Sequence, residues 1–450
     1  MLRWLSRLLG GEQAIPPTTH APAPAPAKPS AATPSAAKPA AQPEAQSAAS
    51  FGVRRPLMGP NGAIAGFELR LPPLLEQRLA AMAPEAAEAA SIAHHAALLS
   101  TARLTQQPGR AALVALPGRL LDKPAVAWQA VAEMMLVPLG PPGQSAAAAS
   151  LQALRQQGVR VGAPDGPPDP ATTADFVLLR AAAGGIDTLL LSAQRWREAK
   201  PGLRLVAVGL ESVDDLERAL ASGISLAGGR LEAGQSGAPP RPLQSAAHRI
   251  CGLLNDLAMD RDTAVVAEAV RSDVALSYRL LRYANSPAIG ASRAVETVEA
   301  AVMLLGRAEV GRWLSVMLMS AASGRQASAA LQEDALARGR LLELLARQQG
   351  VPQPQVLFTI GLLSRLHLLL QMPLAAALEP LRLTGDVSQA LLHREGPWAG
   401  YLELADQMEG EDEKRFGELC APHGGIDTVL AVAADAWGWA AEVVHTSRGG

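Results

Sequence analysis

Residues 176–228 read FVLLRAAAGGIDTLLLSAQRWREAKPGLRLVAVGLESVDDLERALASGISLAG, and their pattern determines how the N-terminal half is folded. Phe176–Arg180, Leu203–Gly209 and the short Ser225–Gly228 are apolar runs with little polar alternation, as expected of strands covered on both faces. Between them, Asp187–Glu198 and Val213–Ala221 repeat Leu and Ala at helical spacing. Upstream, Ala112–Leu116, Met134–Leu139 and Val159–Ala163 are further apolar runs, and Leu74–Leu104 and Ala146–Gln157 are further helical stretches. Strands alternating with helices of this length predict parallel βαβ units, since only a crossover helix returns the chain to a parallel neighbour. Seven or eight such units between Phe51 and Gly237 make a compact (β/α) barrel, and an open doubly wound sheet fits the same pattern.

Downstream, SGAPPRP at Ser236–Pro242 breaks both periods and marks a domain boundary. From Leu243 to about Val444 the chain reads as successive helices. Asp262 or Thr263 caps a segment ending near Arg271, and Ser272 or Asp273 caps one carrying Leu276, Leu280, Leu281 and Ala284 on one face. Pro287 stops that helix. Thr297 opens another, with Val298, Ala301, Val302 and Leu305 as its stripe and Gly306 as its αL stop. Helices follow through Trp313, over Leu331–Gln349, Val356–Leu370 and Asp386–His393, without a fixed repeat period. The fold class is therefore α/β followed by all-α.

At the other end, MLRWLSRLLG (Met1–Gly10) spaces Leu2, Leu5, Leu8 and Leu9 on one helical face, with Trp4 at its flank and Arg3 and Arg7 between. It reads as an amphipathic peptide for a partner groove or a membrane surface, or else as a frayed end. Residues 11–50, nearly all Ala, Pro, Ser and Thr, cannot bury enough surface to offset ordering and form a linker. The charges interrupting the first ten residues argue against a signal peptide.

The 450 residues suffice for two or three domains, and a hydrophobic fraction of 49% supplies their cores. Lys+Arg 40 against Asp+Glu 42 leaves a net charge of −2, so no chain-wide field gathers nucleic acid, and no such partner is expected. Two cysteines, Cys251 and Cys420, exclude a disulfide framework and any multi-cysteine metal site, which suits the cytoplasm. No run of 18 apolar residues reads as a membrane span. Phosphate-cradling GxxxxGK[ST], GxSxG, HExxH and GxGxxG motifs are missing from the sequence. None of the eight histidines precedes Asp, so the metal centre of HD hydrolases cannot form in its usual way; adjacent His94 and His95 point about 100° apart on a helix. No cofactor is expected.

The segment from Asn255 to Met319 resembles the HDOD domain, a helical output domain related to HD hydrolases but without their metal centre. The resemblance rests on Asp273 with Leu276, on Leu280–Leu281, on Asn285–Ser286, and on Leu304–Leu305–Gly306; Phe358–Gly396 continues it. Upstream, RRPLMGPNGAIAGFELRL is similar to the opening of an EAL domain, a barrel that hydrolyses cyclic di-GMP. That resemblance implies two divalent metals held by acids and an Asn at the strand ends. Glu68 matches the signature acid. Elsewhere the pattern fails: the Asn position is Ala115, MMLVPLG has no acid, the paired aspartates become Pro164 and Asp165, and Leu178–Leu179–Arg180 replaces Lys-Ile-Asp. Val208 stands at a Glu position, Glu211 is retained, and the late Gln corresponds to Ala227.

The sequence reading is thus a degenerate EAL-like barrel (51–237) followed by an HDOD domain (243–444). It implies a catalytically inactive, cytoplasmic signalling adaptor that meets partner proteins through the HDOD domain, in pathways such as motility, biofilm formation or cyclic di-GMP signalling. A cyclic di-GMP sensor, or a residual phosphodiesterase using Glu68, Asp165 and Glu211, is the alternative.

Overall fold

The computed structural model describes residues 53–104, 106–140, 147–181, 185–234, 244–286, 289, 294–322, 324–410 and 412–448. The proposed docking residues Leu2, Trp4, Leu5, Leu8 and Leu9, the linker and the Ser236–Pro242 boundary lie outside them.

Eight strands close into a barrel in chain order, β1 to β8, which excludes the open sheet. They span Val53–Met58, Ile64–Arg70, Ala111–Pro117, Met134–Leu139, Arg160–Pro164, Phe176–Arg180, Arg204–Leu210 and Leu226–Gly229. From β2 to β8 neighbours run parallel, whereas β1 is antiparallel to both β2 and β8. The β1–β2 hairpin turns at Gly59–Gly62. Asn61 Oδ1 accepts the Ala63 amide at 3.2 Å, and Gly62 has φ 70°. A side chain at Gly62 would also overlap the backbone carbonyl of Gln326, so glycine is required there for conformation and for close approach.

Inside the barrel, Leu57, Leu113, Met135, Val137, Phe176, Leu178, Val206 and Val208 form a separate buried cluster, so the lumen is packed core and not a channel. Leu74–Leu104 divides into the helices Pro73–Ala81 and Pro84–Leu104, because Pro84 disfavours helical geometry just before it.

In the C-terminal half the expected caps form: Asp262 accepts the Ala264 amide, Asp273 those of Ala275 and Leu276, and Thr297 that of Ala300. Three details depart from expectation. Gly306 interrupts the helix that Thr297 opens, as expected of a stop, but at φ 71° and ψ 168° it lies outside αL, and a second helix continues from the kink to Ala321. Val356–Leu370 divides into Gln355–Leu363 and Leu366–Leu370, and Asp386–His393 is a short helix followed by a π-turn, Gln389–His393. The Ser328–Gln348 helix lies at the centre, packed against Gln355–Leu363 and Ile426–Arg448.

Both halves share one hydrophobic cluster. Arg54 of β1 stacks over the Phe67 ring at 3.6 Å and faces Trp437 of the last helix at 5.7 Å. Arg110 makes a two-pronged contact with Glu333 at 2.5 and 2.9 Å, and the Ala330 amide donates to the Gly62 carbonyl at 2.9 Å. Arg325 reaches Asp214 at 2.6 Å and Glu217 at 2.9 and 3.0 Å, both on the Val213–Ala221 helix of the barrel.

Candidate functional site

The sequence points first to the barrel mouth. Glu68 lies within β2, and it is only 3% exposed. Its carboxylate meets the Arg180 guanidinium at 3.9 Å. Arg180 ends β6, and β2 and β6 stand four places apart in an eight-stranded ring, on opposite walls. The ion pair therefore spans the mouth.

Asp165 follows β5 and is turned towards the Gly185–Ala199 helix. It accepts hydrogen bonds from Ser192 Oγ at 2.8 Å and from the indole Nε1 of Trp196 at 3.1 Å. Glu211, just beyond β7, is exposed. The three predicted acids are thus dispersed, one facing a cation, one holding a helix and one facing solvent. Ala115 offers no donor atom on β3. Among the described residues no group of three or more His, Cys, Asp or Glu side chains is placed to hold a metal ion. The residues at this mouth therefore do not fit a pair of divalent ions, which need several oxygen ligands converging on each.

In the helical half, most signature residues serve the local fold. Asp273 caps its helix and pairs with Arg249 at 3.0 Å. Its carboxyl lies below the usual range, chiefly through the Leu276 amide. Leu276 is core, Ser286 is buried, and Gly306 kinks its helix. The Asn285 side chain staples the following loop: Nδ2 donates to the Leu281 and Val295 carbonyls at 2.9 and 2.7 Å, and Oδ1 accepts the Val295 amide at 2.7 Å. Leu304 is different. It is 46% exposed, next to Met303 at 78%, while Val274 and Tyr278 on the preceding helix are 84% and 61% exposed. An Arg271–Glu299 ion pair at 3.8 Å ties the Thr263–Arg271 helix, just before Val274, to the one carrying Met303.

Sequence reasoning missed a buried polar network in the helical half. Arg338 and Arg365 are 5% and 8% exposed. Arg365 pairs with Asp334 at 2.8 Å and Glu409 at 2.9 Å, and its Nη1 donates to the Leu231 carbonyl just beyond β8 at 3.2 Å. Arg338 pairs with Asp406 and donates from Nε to Ser364 Oγ at 2.9 Å. Arg394 shares Asp406 at 3.2 Å. Guanidinium groups here neutralise three carboxylates directly, as buried charges require. The sequence signal for the network was weak: charged residues on the otherwise apolar helices at 328–348 and 355–370.

Residues 241–381 match the HDOD domain family model. The chain is 32% identical over 170 residues to the uncharacterized protein YuxH of Bacillus subtilis (strain 168), covering 37% of this chain and 42% of that protein. It is 28% identical over 180 residues to the cyclic di-GMP phosphodiesterase CdgJ of Vibrio cholerae serotype O1, covering 40% and 41%. The chain spans about two fifths of the length of these relatives. Similar solved structures include a calcium and cyclic di-GMP complex of Klebsiella pneumoniae BlrP1, with a TM-score of 0.33, 15% identity and coverage of 43% and 58%. Another is an EAL domain protein from Listeria monocytogenes EGD-e, with a TM-score of 0.31, 11% identity and coverage of 40% and 85%. Likeness at this level carries no argument about the barrel, whose architecture rests on its own strand pairing. Residues 241–381 are therefore an HDOD domain, and it follows a closed eight-stranded barrel.

Proposed function

We propose that this chain is a non-catalytic signalling adaptor in a cyclic di-GMP-linked pathway, meeting a protein partner through its HDOD domain. The observation that carries the reading is the Glu68–Arg180 bridge: a cation occupies the mouth where the resemblance calls for metal-binding acids. Asp165, committed to Ser192 and Trp196, and the solvent-facing Glu211 support it. The name of the Vibrio cholerae relative supports the link to cyclic di-GMP, and exposed Val274, Tyr278, Met303 and Leu304 support a protein partner, since apolar side chains held in water favour association.

The test is calorimetric titration of cyclic di-GMP into the full chain with Mg²⁺ or Mn²⁺, with the same mixture assayed for linear product. The adaptor reading expects neither heat nor product. Saturable heat without product would make the chain a sensor. Product that disappears in Glu68→Ala would make it a phosphodiesterase.

A further inference from the structure

A cleft of about 630 Å³ opens where the exit of β8 meets the helical half, within the roughly 300–1,000 Å³ usual for small-molecule sites. Arg230 and Glu232 contribute from the barrel side, and Arg338, Arg365, His367, Arg394 and Gln407 from the helical side. Neither Glu68, Arg180 nor Asp165 lines it.

We propose that this cleft binds a small phosphate-bearing anion, with Arg394 and Arg230 as the guanidinium forks at its rim. Guanidinium groups suit phosphate because their planar N–H pairs match two of its oxygens. Four guanidinium groups, those of Arg230, Arg338, Arg365 and Arg394, line the cleft. Asp406 alone answers both Arg338 and Arg394. Burial holds the Glu409 carboxyl above its usual range despite Arg365, which weakens the negative charge beside that arginine. Asp334 also serves Arg365, at 2.8 Å, and the other carboxylates at the cleft have partners of their own. Glu232 is 3.4 Å from Arg230, and Asp412 caps the Glu413–Cys420 helix through the Arg415 amide at 3.0 Å.

Two further features point into the cleft. Gln407 Oε1 is buried without a hydrogen-bond partner, an arrangement that costs free energy until a donor arrives. Burial, and then the neighbouring Arg365 charge, push the His367 ring down to about 4, so it is neutral near pH 7 and adds no charge of its own to the cleft. The second feature is strain. Arg394 has φ 58°, a left-handed conformation that a long side chain rarely adopts, directly after the π-turn Gln389–His393. That turn delivers its guanidinium to the rim, where it is 45% exposed.

The experiment is calorimetric titration of the full chain with inorganic phosphate, pyrophosphate and GMP in turn, at constant ionic strength. Saturable binding of at least one is expected. Arg394→Gly should weaken it at least about tenfold, the worth of one charge-assisted contact, and Arg230→Gln should do the same. Arg394→Gly should also keep its melting temperature, because glycine takes φ 58° without strain. Tighter binding of GMP than of phosphate identifies a nucleotide, and equal binding identifies the phosphate group alone. Absence of saturable heat with all three, or unchanged affinity in both variants, overturns the proposal. Cyclic di-GMP turnover at the barrel mouth would overturn the adaptor reading and leave this site standing, since the mouth contributes no residue to the cleft.

Discussion

Glu343 is fully buried and answers three guanidinium groups, Arg312 at 2.7 Å and Arg340 and Arg347 at 3.0 Å. Arg312 also lies over the Phe358 ring at 4.2 Å. Burial opposes ionisation of this carboxyl, but the three cations outweigh it and hold its pKa below the usual range. A depressed folded-state pKa adds stability that is complete above the unfolded value, about 4.3, and is lost as the pH falls through the folded value. Glu343→Gln takes the buried negative charge from a cluster of three guanidinium groups and should cost about 3–5 kcal/mol near neutral pH. The gap from wild type should narrow as the pH falls below the unfolded carboxyl value and through the depressed folded one, because the native carboxyl is then neutralised as well. Urea denaturation across that range measures both effects, and a gap independent of pH would contradict the assignment. Arg347→Ala removes a partner that is 42% exposed and should cost under about 1 kcal/mol. Only part of this cluster was legible in the sequence. Positions 340, 343 and 347 share one helix face by spacing, but Arg312 comes from another helix and no local pattern places it there.

Gly306 shows what a single conformation does to an element. With φ 71° and ψ 168° it occupies a region that essentially only glycine enters, and a side chain there would meet no atom within 4 Å. The constraint is therefore backbone conformation, not space. Gly306→Ala should cost about 1–3 kcal/mol in urea denaturation. It should also disturb Leu304 and Met303, one turn earlier, so the mutant should bind an HDOD partner less tightly than a core variant of equal stability. Equal partner affinity would show that the kink does not shape that surface. Elements with strong periodicity were the most legible. Met134–Leu139, Phe176–Arg180 and Val213–Ala221 form over the residues expected, because apolar runs bounded by turn residues admit few alternatives. The β1–β2 hairpin was not read as strands, although Asn61–Gly62 is a strong hairpin signal. Barrel closure depends on β1 meeting β8 across the whole domain, a pairing that no local pattern encodes.

At the scale of the molecule, the candidate site is more dispersed than a motif search implies. Glu68, Asp165 and Glu211 could be located from sequence, but their separate fates depend on Arg180, Ser192 and Trp196, residues that matter only through the barrel's curvature. The joint between the two halves follows the same rule, because its partners lie more than 100 positions apart. Arg325, its side chain 5% exposed, holds Asp214 and Glu217 on the barrel and donates to the Leu368 carbonyl at 3.1 Å in the helical half. Glu217 also accepts the Ala327 amide at 2.7 Å. One arginine thus satisfies groups from both sides, and its removal takes from Glu217 the two guanidinium hydrogen bonds that tie it to the helical half. Arg325→Lys cannot replace it, because an ammonium group lacks the planar fork that reaches both acids. Both halves share one core, so wild type should unfold in a single calorimetric transition. Arg325→Ala should split that transition in two, the barrel and the helical half melting separately, and Arg325→Lys should broaden it. A single transition at an unchanged midpoint in Arg325→Ala would place the coupling in the apolar contacts around Phe67 and Trp437, whose rings meet edge to face at 5.1 Å.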